Sequence, residues 1–389
     1  MTRRWLRWFL VFLLAGGVLG MAGLAFSPRP GTAEVRARLE GLKASPGNFM
    51  RAEGPRAFVF PRDHGAHEAF QTEWWYFTGN LSTTEGRVFG FQLTFFRRGL
   101  LAPAQQLPRE SAWATDQVYM AHFALADEKG QRFQYFERFQ RGAGGLAGAQ
   151  GEPVFRVWLD DWQVEQTMEG KFHLAANEGD LRLALELEDV KGPVLQGDRG
   201  YSQKGDEAGN ASYYISQTRL VSRGTLEVGG VRYTVSGLSW MDHEFGTSAL
   251  SQGQVGWDWF SIQLQDGSEL MMYTIRRQDG DVDPYSSGTV IRQDGSTRRL
   301  GVKDFSIRVE DTWKSPHSGG VYPSAWVIEV PSEGLVLRVR PRLADQELNV
   351  SFVYWEGAVL VEGERSGERV EGSGYVELTG YAQSLENTF

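Results

Sequence analysis

The feature that most constrains this 389-residue chain is that it repeats itself, twice and in the same order. Trp74-Trp75-Tyr76-Phe77-Thr78-Gly79-Asn80-Leu81 lines up with Trp257-Asp258-Trp259-Phe260-Ser261-Ile262-Gln263-Leu264. Each run passes through a turn into an apolar stretch that ends in paired arginines, Arg97-Arg98 and Arg276-Arg277. At the far end of each unit, residues 235–242 (VSGLSWMD) match residues 370–377 (VEGSGYVE), with Gly237, Trp240 and Asp242 in step with Gly372, Tyr375 and Glu377. One match between aromatic strands would be ordinary. Two in order indicate a duplicated unit.

The period of the pattern says what each unit is made of. Residues 87–96 and 180–188 alternate apolar with polar or small residues, the signature of a strand with one buried face, and helical periodicity is nearly absent. Turn residues at 82–86, 228–230, 265–267 and 293–295 read as hairpins. The 47 glycines and 13% aromatics suit turn-rich β architecture. The expectation is all-β: two antiparallel barrels at 58–250 and 251–389, closed so that no long edge is left exposed. A barrel of about eight strands can hold one small ligand. Two Gly-containing stretches, 141–151 and 191–210, read as mobile loops.

Residues 1–25 read as a signal peptide or N-terminal anchor. Arg3, Arg4 and Arg7 precede an apolar run with small residues, Gly23 and Ala25, placed for cleavage after Ala25. The run is nearly long enough to span a bilayer, and the arginines would stay cytoplasmic. The arginine pair also resembles a twin-arginine signal. Residues 26–57 read as a linker with a short helix at 33–43. The body is thus expected to be exported, to the periplasm or the outer face of the inner membrane. It would touch a membrane only through an uncleaved leader. Net charge is −9 with no basic run beyond the leader, which argues against nucleic acid. The chain has no cysteine, so disulfides, thiolate nucleophiles and Cys-based zinc sites are excluded.

Three clusters could carry chemistry. The first is Asp63-His64-Gly65-Ala66-His67-Glu68 with Glu73-Trp74-Trp75-Tyr76; the second is Trp240-Met241-Asp242-His243-Glu244; the third is Trp257-Asp258-Trp259. On a strand, residues two apart share a face. Asp242 and Glu244 therefore point one way and His243 the other, and Trp257 and Trp259 oppose Asp258. His64 and His67 could ligate a metal with Glu68 or Asp63, but a surface turn fits a Gly-containing stretch better; no metal or cofactor is expected. The carboxylates could equally close a strand end, and the tryptophans could simply pack. There is no nucleophile elbow, phosphate loop or dinucleotide fingerprint.

Six motifs in order carry a resemblance: HGAHEAFQTEWWYFTGNL (64–81), AHFALAD (121–127), SYYISQTRL (212–220), SWMDHEFG (239–246), GWDWFSIQL (256–264) and GYVELTGYA (374–382). Together they resemble the AttH-like family, which is related to carotenoid 1,2-hydratases. The resemblance implies two lipocalin-like barrels in one chain. It also implies a genetic association with ABC-type permeases, and for the hydratase relatives the addition of water to an acyclic carotenoid. By motif position Asp242 and His243 resemble the hydratases' His/Asp segment, and 256–260 their Trp-rich one.

Protonating an alkene needs a neutral acid, a cation-tolerant pocket and a group that takes a proton from water. Asp242, His243, Glu244 and Asp258 are the candidate catalytic groups. Glu73, Trp74, Trp75, Tyr76, Tyr214, Trp240, Trp257 and Trp259 are the candidate ligand contacts. Three readings stay open: a carrier of a hydrophobic molecule (lipid, isoprenoid or polyene) accessory to a membrane transporter, a hydro-lyase-type enzyme that hydrates, isomerises or cyclises an unsaturated isoprenoid, and a solid protein acting only through its surface.

Overall fold

Strands form where the alternation places them. The computed structural model describes residues 47–106, 111, 113–248 and 250–385; the leader and the helix expected at 33–43 lie outside them. The first sheet contains β1 (Thr72–Ser82), β2 (Val88–Gly99), β3 (Gln117–Asp127), β4 (Arg132–Arg141), β5 (Ala147–Gln150), β6 (Arg156–Leu159) and β7 (Trp162–Met168). It continues with β8 (Lys171–Glu178), β9 (Leu181–Asp189), β10 (Val194–Leu195), β11 (Tyr201–Gln203), β12 (Ala211–Val228) and β13 (Val231–Gly246). Its order is β4-β3-β2-β1-β13-β12-β9-β8-β7-β6-β5, and it curls until β4 and β6 touch.

The second sheet contains β14 (Gln254–Leu264), β15 (Glu269–Arg277), β16 (Ser287–Ile291), β17 (Thr297–Gly301) and β18 (Ser306–Lys314). It is completed by β19 (Val321–Val330), β20 (Leu335–Pro341), β21 (Glu347–Asn349), β22 (Val353–Arg365) and β23 (Glu368–Leu378). The order is β17-β16-β15-β14-β23-β22-β20-β19-β18. The fold is all-β with two lipocalin-like barrels. In each, the opening strand (β1 or β14) is hydrogen-bonded between its hairpin partner and the closing strand (β13 or β23).

All four expected turns join consecutive strands: β1–β2, β12–β13, β14–β15 and β16–β17. Gly86, Gly229, Gly230, Gly267 and Gly295 have positive φ there, a conformation open to glycine without steric cost. The stretches read as loops differ from expectation. Residues 141–151 contain β5, and 191–210 contain β10 and β11, both hydrogen-bonded to β12. Positive-φ glycines at 144, 145, 197 and 200 turn the chain back onto the sheet, where its backbone groups find partners.

The barrel interiors are full. Trp75, Phe77 and Leu81 of β1 and Phe89, Phe91, Leu93 and Phe95 of β2 bury themselves in the first core, beside Trp162 and Phe172. Phe260, Ile262, Trp326, Trp355 and Val376 do the same in the second. A small barrel is just wide enough for side chains to fill, and bulky aromatics fill these. The expectation of a ligand inside a barrel is therefore corrected.

The open space lies elsewhere, because the strands carry a second apolar face. Tyr76, Tyr214 and Trp240 of the first barrel pack on Trp259, Met271, Tyr273 and Tyr375 of the second. Polar contacts fix the two faces together. Glu269 of the second barrel pairs with Lys191 (2.6 Å) and Arg219 of the first. Asn80 Nδ2 donates to the Gly374 carbonyl at 2.9 Å, and Gln263 Nε2 to the Ser239 carbonyl at 2.9 Å. The sheets come so close at Gly90 that a Cβ there would lie 2.4 Å from Ala358 Cβ.

Candidate active site between the barrels

Backbone register builds the site. Across the first sheet, pairing sets Glu137, His122, Thr94, Tyr76, Asp242 and Ser216 side by side on one rung. In the second sheet Tyr273, Trp259, Glu377 and Glu356 form the corresponding rung. Tyr76 opposite Asp242 and Trp259 opposite Glu377 are the same pairing in the two repeats. The rungs face each other. The Tyr76 ring meets Trp259 edge-on at 5.2 Å, and Trp259 Nε1–H donates to Tyr214 Oη at 2.8 Å. Between them lies a cavity of about 170 Å³, lined by aromatic and polar side chains. Its wall includes the fully buried Gln92, Tyr354 and Glu356, and the half-buried Trp74, Phe96, Leu250 and Trp257 mark the side nearing solvent.

Among the described residues four carboxyl groups and one cation, Lys204, line this cavity. Burial pushes Asp242 up. Hydrogen bonds from Ser216 Oγ, Tyr214 Oη (2.5 Å) and Trp240 Nε1 (2.7 Å) pull it back, and it rests at about 7. Glu377 also rests at about 7; burial raises it, the Trp257 indole at 3.0 Å opposes, and the charges of Glu244 and Asp242 add to the rise.

Glu356 goes furthest. Burial and then the charge of Glu377 drive it well above the usual carboxyl range, and Tyr76 and Tyr354 oppose only in part. Neither of its oxygens has a hydrogen bond of normal geometry. Glu244 instead accepts from Ser212 Oγ and lies 3.2 Å from Lys204 Nζ. Burial works against the charge of Lys204, but Glu244 prevails and holds its pKa above the ordinary lysine value. Its ammonium sits 4.1 Å from the centre of the Tyr273 ring. Asp242, Glu356 and Glu377 titrate as a coupled set, and burial holds all three above the ordinary carboxyl range. A neutral acid, a hydrogen-bonded carboxylate and aromatic faces in one apolar space can deliver and recover a proton at carbon.

Of the residues singled out from sequence, Trp74, Tyr76, Tyr214, Asp242, Glu244, Trp257 and Trp259 line the cavity. Trp240 stands behind it, its indole on Asp242. Four residues lie elsewhere, because neighbours on a strand point to opposite faces. Trp75 is in the first barrel's core, donating to the His64 carbonyl at 2.7 Å. Asp258 faces away from the cavity, bound by Arg276 Nε at 2.9 Å and Tyr381 Oη at 3.0 Å.

Glu73 and His243 belong to a separate cluster inside the first barrel. Glu73 Oε1 meets His67 Nδ1 and His243 Nε2, each at 2.8 Å, and Arg97 Nε donates to Oε2 at 2.8 Å. Burial would raise Glu73, but Arg97 and His67 overcome it and hold the carboxyl far below its usual range. His67, Glu73 and His243 bring donor atoms within 4.8 Å of one another, as metal ligands do. Arg97 already gives that carboxylate its cation.

Sequence reasoning passed over Glu356, Glu377, Tyr273, Tyr354 and Lys204, all of which line the cavity. A signal existed for Glu377, which aligns with Asp242 in the repeat. Glu356 stands in no motif, and Lys204 falls in a stretch read as loop.

Comparison with known proteins agrees with this architecture. Kievitone hydratase of Fusarium solani subsp. phaseoli is 27% identical over 160 residues, 39% of this chain and 44% of that protein. Dehydratase asqC of Emericella nidulans is 24% identical over 150 residues, 36% of this chain and 42% of that protein. The chain thus spans less than half the length of the curated relatives it matches. The crystal structure of kievitone hydratase from Nectria haematococca shares the fold, with a TM-score of 0.64 at 14% identity over 86% of this chain and 97% of that one. A crystal structure of an AttH from Nitrosomonas europaea superposes with a TM-score of 0.76 at 34% identity, over 85% of this chain and 100% of that one. Residues 51–381 match the AttH-like family, and the chain belongs to it.

Proposed function

We propose that the cavity between the barrels adds water to, or removes it from, an unsaturated lipophilic molecule by acid–base catalysis. The observation that carries this reading is Glu356, a fully buried carboxyl whose oxygens make no hydrogen bond of normal geometry and have only the Tyr76 and Tyr354 hydroxyls beside them, next to two more acids near neutrality in an aromatic space. In hydration, neutral Glu356 gives its proton to one alkene carbon. The adjacent carbon becomes cationic and bonds to water oxygen. Asp242, as carboxylate, takes the proton that this water sheds, so that H and OH are added and no charge is left over. Dehydration runs the same steps backwards. Desolvated aromatic faces such as Trp259 and Tyr76 contribute about 2 kcal/mol each to tolerating the cation.

Size narrows the substrate. A cavity of about 170 Å³ is comparable to the roughly 150 Å³ that admits benzene, so it encloses a ring or an isoprenyl end and not a whole polyene. A hydratase and a dehydratase among the relatives favour turnover over the carrier reading, which needs the same cavity but gives its raised acids no task.

The test is mass spectrometry in ¹⁸O-water with lipophiles that end in an isoprenyl group. The wild type incorporates label. Glu356→Gln and Asp242→Asn each slow incorporation by about a hundredfold or more, the usual scale for a lost proton-transfer group, while ligand still binds. Tight binding without any labelling by the wild type would leave the carrier; variants at full rate would remove these residues from the chemistry.

A further inference from the structure

A second chain of polar groups reaches the cavity from the opposite side to Asp242. Glu137 on β4 is 15% exposed and holds the second barrel by accepting from Ser351 N (3.0 Å) and Ser351 Oγ (2.6 Å). One of its oxygens lies 3.1 Å from His122 Nε2 on β3. The imidazole is completely buried, and its other nitrogen, Nδ1, lies 2.6 Å from Tyr354 Oη on β22. Gln92 Nε2 also donates to that hydroxyl at 3.3 Å. Phe96 and Phe352 flank the imidazole at 5.2 and 5.4 Å, which keeps water off it. Tyr354 and Glu356 are two apart on one strand, share its face and both line the cavity.

A buried imidazole bonded at both nitrogens, with a solvent-touching acid at one end and a cavity hydroxyl at the other, is an unusual way to join two barrels. An apolar contact would hold them without desolvating polar groups. It is, however, the arrangement a proton needs to cross a dry interface, since imidazole can accept at one nitrogen while it donates from the other.

We propose that Glu137, His122 and Tyr354 form a relay that resupplies Glu356 with protons from solvent without opening the cavity to water. In one shift Tyr354 Oη–H passes its proton to the Glu356 carboxylate, imidazole Nδ1–H passes one to Tyr354 Oη, and Glu137 passes one to imidazole Nε2. Water then reprotonates Glu137. One proton moves inward, no electron is transferred, and only Glu356 ends in a changed charge state; the imidazole ends with its proton on Nε2 instead of Nδ1 and returns to the first tautomer before the next shift. The proposal rests on Glu356 being the acid of the reaction above, since only a site that spends protons needs them returned. These three are relay groups, and none is placed against the substrate carbon.

The test does not depend on turnover. The full-length protein is moved from H₂O into D₂O and the carbonyl stretch of neutral carboxyls is followed by infrared spectroscopy. The band lost in Glu356→Gln identifies this group. In the wild type the Glu356 band shifts to its deuterated position quickly. In His122→Phe, which keeps an aromatic ring in the packing, the shift slows by about a hundredfold. Glu137→Gln keeps the contacts to Ser351 and slows it as well, so the proposal stays falsifiable if His122→Phe does not fold. Asp242→Asn is the control: it stops turnover if the functional reading holds, but leaves this exchange at the wild-type rate. Wild-type exchange rates in both relay variants, or no neutral band assignable to Glu356, would overturn the relay.

Discussion

Glu73 and Glu356 are both fully buried, both lie in strands of the barrel walls, and they end in opposite states. Glu73 receives Arg97 and two imidazoles, and its carboxyl is held far below the ordinary range. Glu356 receives no normal hydrogen bond, and its carboxyl is driven well above it. Desolvation is common to the two, so burial alone decides nothing. Between these two the difference is the Arg97 guanidinium and the imidazoles that reach Glu73. Beside Glu73 the chain has built a closed ion network that holds structure together. Around Glu356 it has left proton-bearing acids facing empty space, which costs stability and is the mark of a functional site.

The largest way to break the contrast is to remove the cation from the first cluster. Arg97→Leu leaves Glu73 buried with imidazole partners alone, and urea unfolding should show a loss of about 3–5 kcal/mol. If the loss is negligible, Glu73 is not held as described.

The next effect is on pH dependence and has opposite signs at the two sites. Folded Glu356 keeps a proton that the unfolded chain, with its ordinary value of 4.5, has lost, so its contribution is full below that pH and declines as pH rises. Asp242 and Glu377 behave likewise up to about 7. Each such group costs up to about 1.4 kcal/mol per pH unit inside its window. Glu356→Gln should flatten the decline between about pH 4.5 and 7 by that slope in denaturation measured across pH, whereas Glu73→Gln should remove stability at neutral pH that the wild type loses only on acidification. An unchanged slope in Glu356→Gln would mean that the carboxyl is ionised in the fold.

The smallest effect sharpens the same point. At pH 4.5 or below, where both states carry the proton, Glu356→Gln is nearly a volume-conserving swap and should change stability by less than about 1.5 kcal/mol.

Much of this was legible in the residues. The two repeated motifs pair in the structure as their alignment implies, Tyr76 with Asp242 and Trp259 with Glu377. The two-residue period separated Asp242 and Glu244 from His243, and Trp257 and Trp259 from Asp258. What the period does not reveal is which face meets open space. Both faces of β1 are apolar, one filling a barrel with Trp75 and Phe77, the other meeting the second barrel with Tyr76. Choosing between them requires the docking of the barrels, which arises from contacts between residues hundreds of positions apart, such as Asn80 with Gly374. Glu356 was invisible for the same reason: its state is set by what surrounds it in space, Tyr76 from the first barrel and Glu377 from a neighbouring strand, and no local pattern encodes those neighbours.

One measurement tests the central claim most directly: a ¹³C NMR titration of side-chain carboxyls, with Glu73 and Glu356 assigned through Glu73→Gln and Glu356→Gln. The account predicts that at pH 7 Glu356 carries its proton while Glu73 is ionised and stays so down to the lowest pH at which the protein remains folded. Two carboxyls titrating together near the ordinary value of 4.5 would contradict it.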